Sequence, residues 1–160
     1  MCYGDASLAN LMMAKSTCGL VLFVVSANST CCPILWKSNT IKRVVRSTSA
    51  AETNAMVEAL DSSYFIAVML SEMLNGGPSM RIPIVAYTDS ESLYKNCYST
   101  NMCDEKRLRI EMGIIKEMLV KGELLKLVWV PKSEMLADCL TKHGASSMSL
   151  ARALENGYLA

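Results

Sequence analysis

Four acidic residues stand where a side chain could do chemistry. Asp5 closes a short apolar stretch in "MCYGDAS", and Glu52 lies in "RSTSAAETNAM" at the head of a long helical pattern. Asp89 ends the apolar run Ile82-Pro83-Ile84-Val85-Ala86-Tyr87, and Asp138 sits in "LADCLTK". Each has an ordinary explanation. Asp before a loop is common. Asp89 precedes a helix whose predicted cap is Ser90, and Asp138 flanks an apolar face of Met135, Leu136, Cys139 and Leu140, as a surface acid would. Glu52 fits a capping box that starts at Ser49. Ser47 is an equally good N-cap and would put Glu52 more than one turn inside the helix, so the local sequence supports both roles. Together the four weigh more than singly. Sites in α/β sheets gather at the carboxyl ends of strands. Convergent carboxylates without histidine suit a hard, oxygen-seeking cation such as Mg²⁺. Two such ions about 4 Å apart can activate water and stabilise the leaving oxygen of a phosphodiester.

The elements that must position these acids follow from periodicity. Tyr3 to Asp5 reads as the end of a strand. Cys18–Ser26 and Cys31–Lys37 read as two more strands joined by an Asn28-Ser29 turn, which gives an antiparallel meander. Thr40–Arg46 is a basic connector. A long helix is expected from Thr48 to Leu74, stopped by Asn75-Gly76-Gly77-Pro78. At 100° per residue, Ala55, Met56, Ala59, Ile66, Ala67 and Leu70 share a stripe with Glu52, while Glu58, Asp61 and Glu72 lie opposite. Glu52 is therefore on the core side, where an unpaired carboxylate is costly. Ile82–Thr88 is a fourth strand and Leu124–Val130 a fifth. Helices are expected over Ser90–Cys97, Asp104–Lys121, Ser133–Lys142 and Ser147–Glu155. Leaving aside the last short helix, the order βββαβααβα implies an α/β fold, a mixed sheet with packed helices.

With 160 residues, 51% of them hydrophobic, the chain can build one domain with a substantial core. The formal charge of +1 neither demands nor excludes nucleic acid. Seven cysteines, an odd number and without a CxxC pair, point to free thiols in a reducing intracellular compartment. His143 is the only histidine, so a histidine metal cage is excluded. The longest apolar run, Leu20–Val25, is far short of the roughly 20 residues a membrane span needs, so no membrane partner is expected.

"YGDAS", "RSTSAAETNAM", "YTDSESL" and "WVPKSEMLADCLTK" resemble, in order and spacing, the ribonuclease H domain of copia-type (LTR) retrotransposon Pol polyproteins. "CPILWKSNTIKRVVRST" is similar to that family's strand and basic connector. The resemblance runs from Tyr3 to about Lys142. It implies a ribonuclease H-like fold with a five-stranded mixed sheet, its first three strands antiparallel and helices on both faces. It also implies that Asp5, Glu52, Asp89 and Asp138 are catalytic and hold two Mg²⁺ ions, for which Mn²⁺ can substitute. By that analogy Asp5 bridges both ions, Glu52 and Asp89 complete the ion near the leaving group, and Asp138 helps hold the ion that activates water. The implied activity is endonucleolytic hydrolysis of the RNA strand of RNA/DNA hybrids, leaving 5′-phosphate and 3′-hydroxyl ends. The implied partners are the hybrid and a reverse transcriptase domain of the same polyprotein. Two departures stand out. Arg109-Ile110-Glu111 replaces a His-Ile-Asp element, and no histidine precedes Asp138.

The chain is expected to be a single domain over 1–160, with a truncated first strand and a C-terminal extension over 143–160. Such a chain is expected to be a fragment of a longer polyprotein or a decayed copy. The competing reading is accordingly a catalytically inactive tether or relic. An integrase-like core fits less well, since it would place a glutamate in the late helix. Lys37, Lys42, Arg43 and Arg46 cluster ahead of the Glu52 helix and are the candidate phosphate contacts. Lys106, Arg107 and Arg109 fit a solvated face better, given the acids beside them. Trp36 and Trp129 lie in strand patterns and are expected in the core.

Overall fold

The computed structural model describes residues 1–8, 15–75, 82–100 and 105–159. Its strands are β1 (Cys2–Ser7), β2 (Thr17–Val25), β3 (Cys31–Thr40), β4 (Ile84–Thr88) and β5 (Leu124–Trp129). They form one sheet in the order β3-β2-β1-β4-β5. β1, β2 and β3 pair antiparallel, whereas β4 pairs parallel with both β1 and β5. The helices are α1 (Thr48–Asn75), α2 (Glu91–Tyr98), α3 (Arg109–Val120), α4 (Asp138–Thr141) and α5 (Met148–Asn156). This is the expected mixed sheet with its antiparallel first three strands.

Two cores lie on opposite faces. On one face α1, α2 and α3 bury Met56, Leu60, Leu93, Met112 and Ile115 against Leu20, Leu22, Ala86, Leu124 and Leu127. On the other, Tyr3, Val21 and Phe23 meet Met135, Leu136, Ala137 and Ala153. α5 reaches that second core through Ala153, and its C-terminal Gly157 accepts a hydrogen bond from the Cys31 amide at 2.7 Å. The thiols of Cys2, Cys18 and Cys97 are buried and free, while that of Cys32 is exposed. No helix among the described residues is long and apolar enough to cross a membrane.

Two glycines let helices approach the central strands. A Cβ on Gly4 would stand 3.2 Å from the Ala55 carbonyl oxygen and 3.3 Å from the Ala59 Cβ, so α1 lies directly on β1. A Cβ on Gly19 would stand 2.7 Å from Thr141 Cγ2 and 3.1 Å from the Ala137 carbonyl oxygen, so α4 lies directly on β2. Gly19 is also the pairing partner of Asp5.

Three expectations need correction. β1 does not end at Asp5 but runs on to Ser7, because the β2 side of its ladder continues to Thr17. Only its parallel pairing with β4 stops early, at Tyr3↔Tyr87. The helix expected over Ser133–Lys142 is broken into a 3₁₀ turn, Lys132–Glu134, and the short α4. Between them the backbone of Met135 is extended, and Met135, Leu136 and Ala137 are pressed into the second core. Neither tryptophan is buried. Trp36, on the edge strand β3, is 65% exposed, and Trp129, at the end of β5, is 46% exposed. The residues expected to stop α1, beginning at Gly76, fall outside the described ones.

Candidate metal centre and active site

β1 and β4 run side by side in the same direction, with Cys2 level with Ala86 and Tyr3 level with Tyr87. The two tyrosine rings stack at 4.6 Å with an interplanar angle of 11°. Continuing that register past the end of the parallel pairing brings Asp5 to the level of Asp89. The two acids are therefore neighbours because two apolar strands are neighbours.

Glu52 arrives from the helix. Ser47 caps α1, its Oγ accepting from the Ala50 amide at 3.1 Å. This decides between the two capping schemes, and Glu52 is free of the cap. It is buried at 7% exposure and its Oε2 accepts from the Ala6 amide at 3.2 Å. The close seat of α1 on Gly4 makes that contact possible. Asp89 is also spared from capping, because Ser90 Oγ accepts from the Leu93 amide. The Asp89 carbonyl oxygen accepts instead from Trp129 Nε1 at 3.1 Å.

Asp5, Glu52 and Asp89 each offer a carboxylate oxygen, and these oxygens lie within 4.8 Å of one another. Asp5 is fully buried, and among the described residues its Oδ1 has no hydrogen-bond partner. Its Oδ2 accepts from Thr141 Oγ1 and faces Lys142 Nζ at 3.5 Å. Asp138 stands outside the trio and is linked to it through Lys142, whose ammonium donates to Asp138 Oδ1. The structure thus brings three of the four expected acids together and ties the fourth to them through a lysine.

The electrostatics follow from this crowding. Burial raises the Glu52 carboxyl to about 9, and the neighbouring charges of Asp5 and Asp89 push in the same direction. Burial also raises Asp5, against the opposing pull of the Thr141 hydrogen bond and the Lys142 charge. Converging carboxylates, one with an orphaned buried oxygen, form a donor set suited to a divalent cation. Such an ion would meet the unpartnered oxygen and relieve the mutual repulsion.

The basic candidates sit to one side. Lys37 is half-buried on β3, and Lys42, Arg43 and Arg46 are exposed on the connector. Lys42 and Arg43 line a cleft with Lys15, Glu58 and Asp61. Arg43 is already engaged, its Nη1 donating to Glu111 Oε1 at 2.7 Å. Sequence reasoning missed the roles of Gly19, Thr141 and Lys142. The signal for the last two was present in "LADCLTK", since residues three and four positions after Asp138 share its helix face.

No protein-family profile matches the chain, and no curated protein does. Solved structures do. RNase H1 from the halophilic archaeon Halobacterium salinarum NRC-1 superposes with a TM-score of 0.64 at 19% identity, over 97% of this chain and 96% of that one. LC11-RNase H1 in complex with an RNA/DNA hybrid superposes with a TM-score of 0.58 at 17% identity, over 88% and 91%. The N-terminal RNase H domain of a Mycobacterium tuberculosis protein gives 0.60 at 14%, over 98% and 93%. At these identities the likeness is one of architecture, and the chain has a ribonuclease H-like fold.

Proposed function

We propose that this chain is the ribonuclease H domain of a copia-type retrotransposon polyprotein and hydrolyses the RNA strand of RNA/DNA hybrids. The reading rests chiefly on one observation. On a ribonuclease H-like sheet, the Asp5, Glu52 and Asp89 oxygens lie within 4.8 Å of one another, with Asp5 Oδ1 buried and unpartnered. The hybrid bound to a structural neighbour supports the substrate class. The sequence resemblance supports the polyprotein origin and a reverse transcriptase domain as partner, and the packing of Ala153 of α5 in the second core supports a single domain over 1–160.

In this reading Asp5, Glu52 and Asp89 hold Mg²⁺, and Asp138 contributes from α4. The bound metal supplies Lewis-acid polarisation of the phosphodiester and a water acidic enough to attack it. The chain's own residues prepare the place. β1 and β4 fix two carboxylates on rigid elements, and α1 fixes the third. The Ala6 amide orients Glu52, and Thr141 orients Asp5. Lys37, Lys42 and Arg46 are placed to meet backbone phosphates, which position the hybrid, while 2′-hydroxyls mark its RNA strand. Arg43 must exchange Glu111 for phosphate to take part.

The test is cleavage of an RNA/DNA hybrid by the purified chain in Mg²⁺, in Mn²⁺ and in excess chelator, beside Asp5→Asn. Cleavage that needs the metal and disappears in the folded variant supports the proposal. A folded wild-type chain without metal-dependent cleavage would assign it instead to the inactive tether or relic class.

A further inference from the structure

Lys142 is the one cation that touches two of the four acids among the described residues. Its Nζ donates to Asp138 Oδ1, four positions earlier, and lies 3.5 Å from Asp5 Oδ2, 137 positions earlier. The side chain is 30% exposed, whereas Asp5 beneath it is fully buried. Thr141, immediately before it, donates to the same Asp5 oxygen. The two oxygens of Asp5 are thus in different situations. Oδ2 is covered by Thr141 and Lys142, and Oδ1 has no partner.

A fixed ammonium and a divalent ion compete for the same carboxylate charge. Four carboxylates and one lysine carry a formal charge of −3. One divalent ion brings this to −1, so the cluster stays net negative. A second would bring it to +1 and would place two like charges, ion and ammonium, over the same Asp5–Asp138 pair. The acids that converge without the lysine are Asp5, Glu52 and Asp89. The acid outside that trio is the one the lysine holds.

We propose that Lys142 is a tethered counter-cation that occupies the Asp5–Asp138 side of the centre, so that the substrate-free chain takes a single divalent ion, on the Asp5–Glu52–Asp89 side. A second ion enters there only when Lys142 swings out toward solvent. Lys142 is in this sense a positioning residue that sets metal stoichiometry. The inference rests on the proposed metal centre, and it concerns how many ions that centre holds rather than whether it holds any.

The experiment counts bound Mn²⁺ per chain without nucleic acid, by calorimetry and by the electron paramagnetic resonance signal of free Mn²⁺. It compares wild type, Lys142→Met, Lys142→Gln and Lys142→Arg. Thermal melting in chelator and in Mn²⁺ accompanies each titration. Wild type and Lys142→Arg are expected to bind one ion, and the two neutral variants two. The neutral variants should melt lower than wild type in chelator, having lost the partner of Asp5 and Asp138, and Mn²⁺ should close that gap. Two ions in wild type, or equal stoichiometry and affinity in wild type and both neutral variants, would overturn the inference and leave the metal centre standing. Neutral variants that stay unfolded even in Mn²⁺ would also overturn it and assign Lys142 to the fold alone. A folded wild type that binds no Mn²⁺ would remove the metal centre itself.

Discussion

Glu52→Gln separates what the acid costs the fold from what it does for the site. In the metal-free protein Glu52 is pushed up to about 9 from an ordinary value of 4.5, by burial first and by Asp5 and Asp89 next. Between those two values the folded chain holds a proton that the unfolded chain has released. The stability associated with that proton is complete below pH 4.5 and is lost as the pH rises toward 9. At pH 7 the loss amounts to about 3 kcal/mol, the free energy of carrying protonation across about 2.5 pH units. For a domain of this size that is on the order of 10 °C in melting temperature. Glutamine keeps an acceptor for the Ala6 amide and cannot ionise. Thermal melts in chelator should therefore coincide near pH 4.5, separate by pH 7 with the variant higher, and separate further toward pH 9. Added Mg²⁺ should raise the wild type and not the variant, because a ligand that binds only the folded state stabilises it. Hybrid cleavage by the variant should be lost. Melting curves with no pH-dependent separation in chelator would refute the reasoning, since they would mean that Glu52 ionises as freely in the fold as outside it.

Two further outcomes follow from α4. Asp138→Asn removes an acid that stands outside the clustered trio, so hybrid cleavage should fall less than in Asp5→Asn, and excess Mn²⁺ should partly restore it. Equal loss in both variants would place Asp138 on a par with Asp5. Gly19→Ala adds a Cβ 2.7 Å from Thr141 Cγ2 and 3.0 Å from Leu140 Cβ, which forces α4 off the sheet. The expected loss is about 1–3 kcal/mol of stability, the usual cost of overpacking, read by thermal or denaturant melting. Cleavage should fall as well, since Thr141 and Lys142 then lose Asp5. An unchanged melt and rate would show that α4 is not held where the structure puts it.

Most of this architecture was legible because apolar periodicity carries it. The bounds expected for the long helix, Thr48 to Leu74, differ from α1 by a single residue, since its stripe and its start signal agree. The burial of Glu52 was legible for the same reason. What failed were features that depend on neighbours distant in sequence. Trp36 alternates like a core residue, but β3 is a sheet edge and the ring stays in solvent. Met135 to Ala137 carry a helical pattern, yet the second core draws them out of a helix and splits the segment in two. The spacing from Asp138 to Lys142 was readable, but the approach of Lys142 to Asp5 comes from the docking of α4 on Gly19. No local pattern announces that docking.

The same docking explains why the four acids are not equivalent. Asp5 lies on β1 and Asp89 directly follows the adjacent parallel strand β4, the two strands joined by the Tyr3–Tyr87 stack, and Glu52 rides on a helix seated against Gly4. Sites carried on such elements keep their geometry without the ligand. Asp5 and Glu52 are buried there with the like charges held together, and the cost appears as their raised carboxyls, raised by burial first and by the neighbouring acids second. Asp138 rides on a four-residue helix laid over β2 and is met by its own lysine. In the proposed site three acids converge without a lysine among them, while the fourth is already paired with Lys142. A polar cluster that weakens the fold and is nonetheless built on its interior strands is what the proposed metal site requires, because affinity would come from relief of a repulsion the scaffold holds in place.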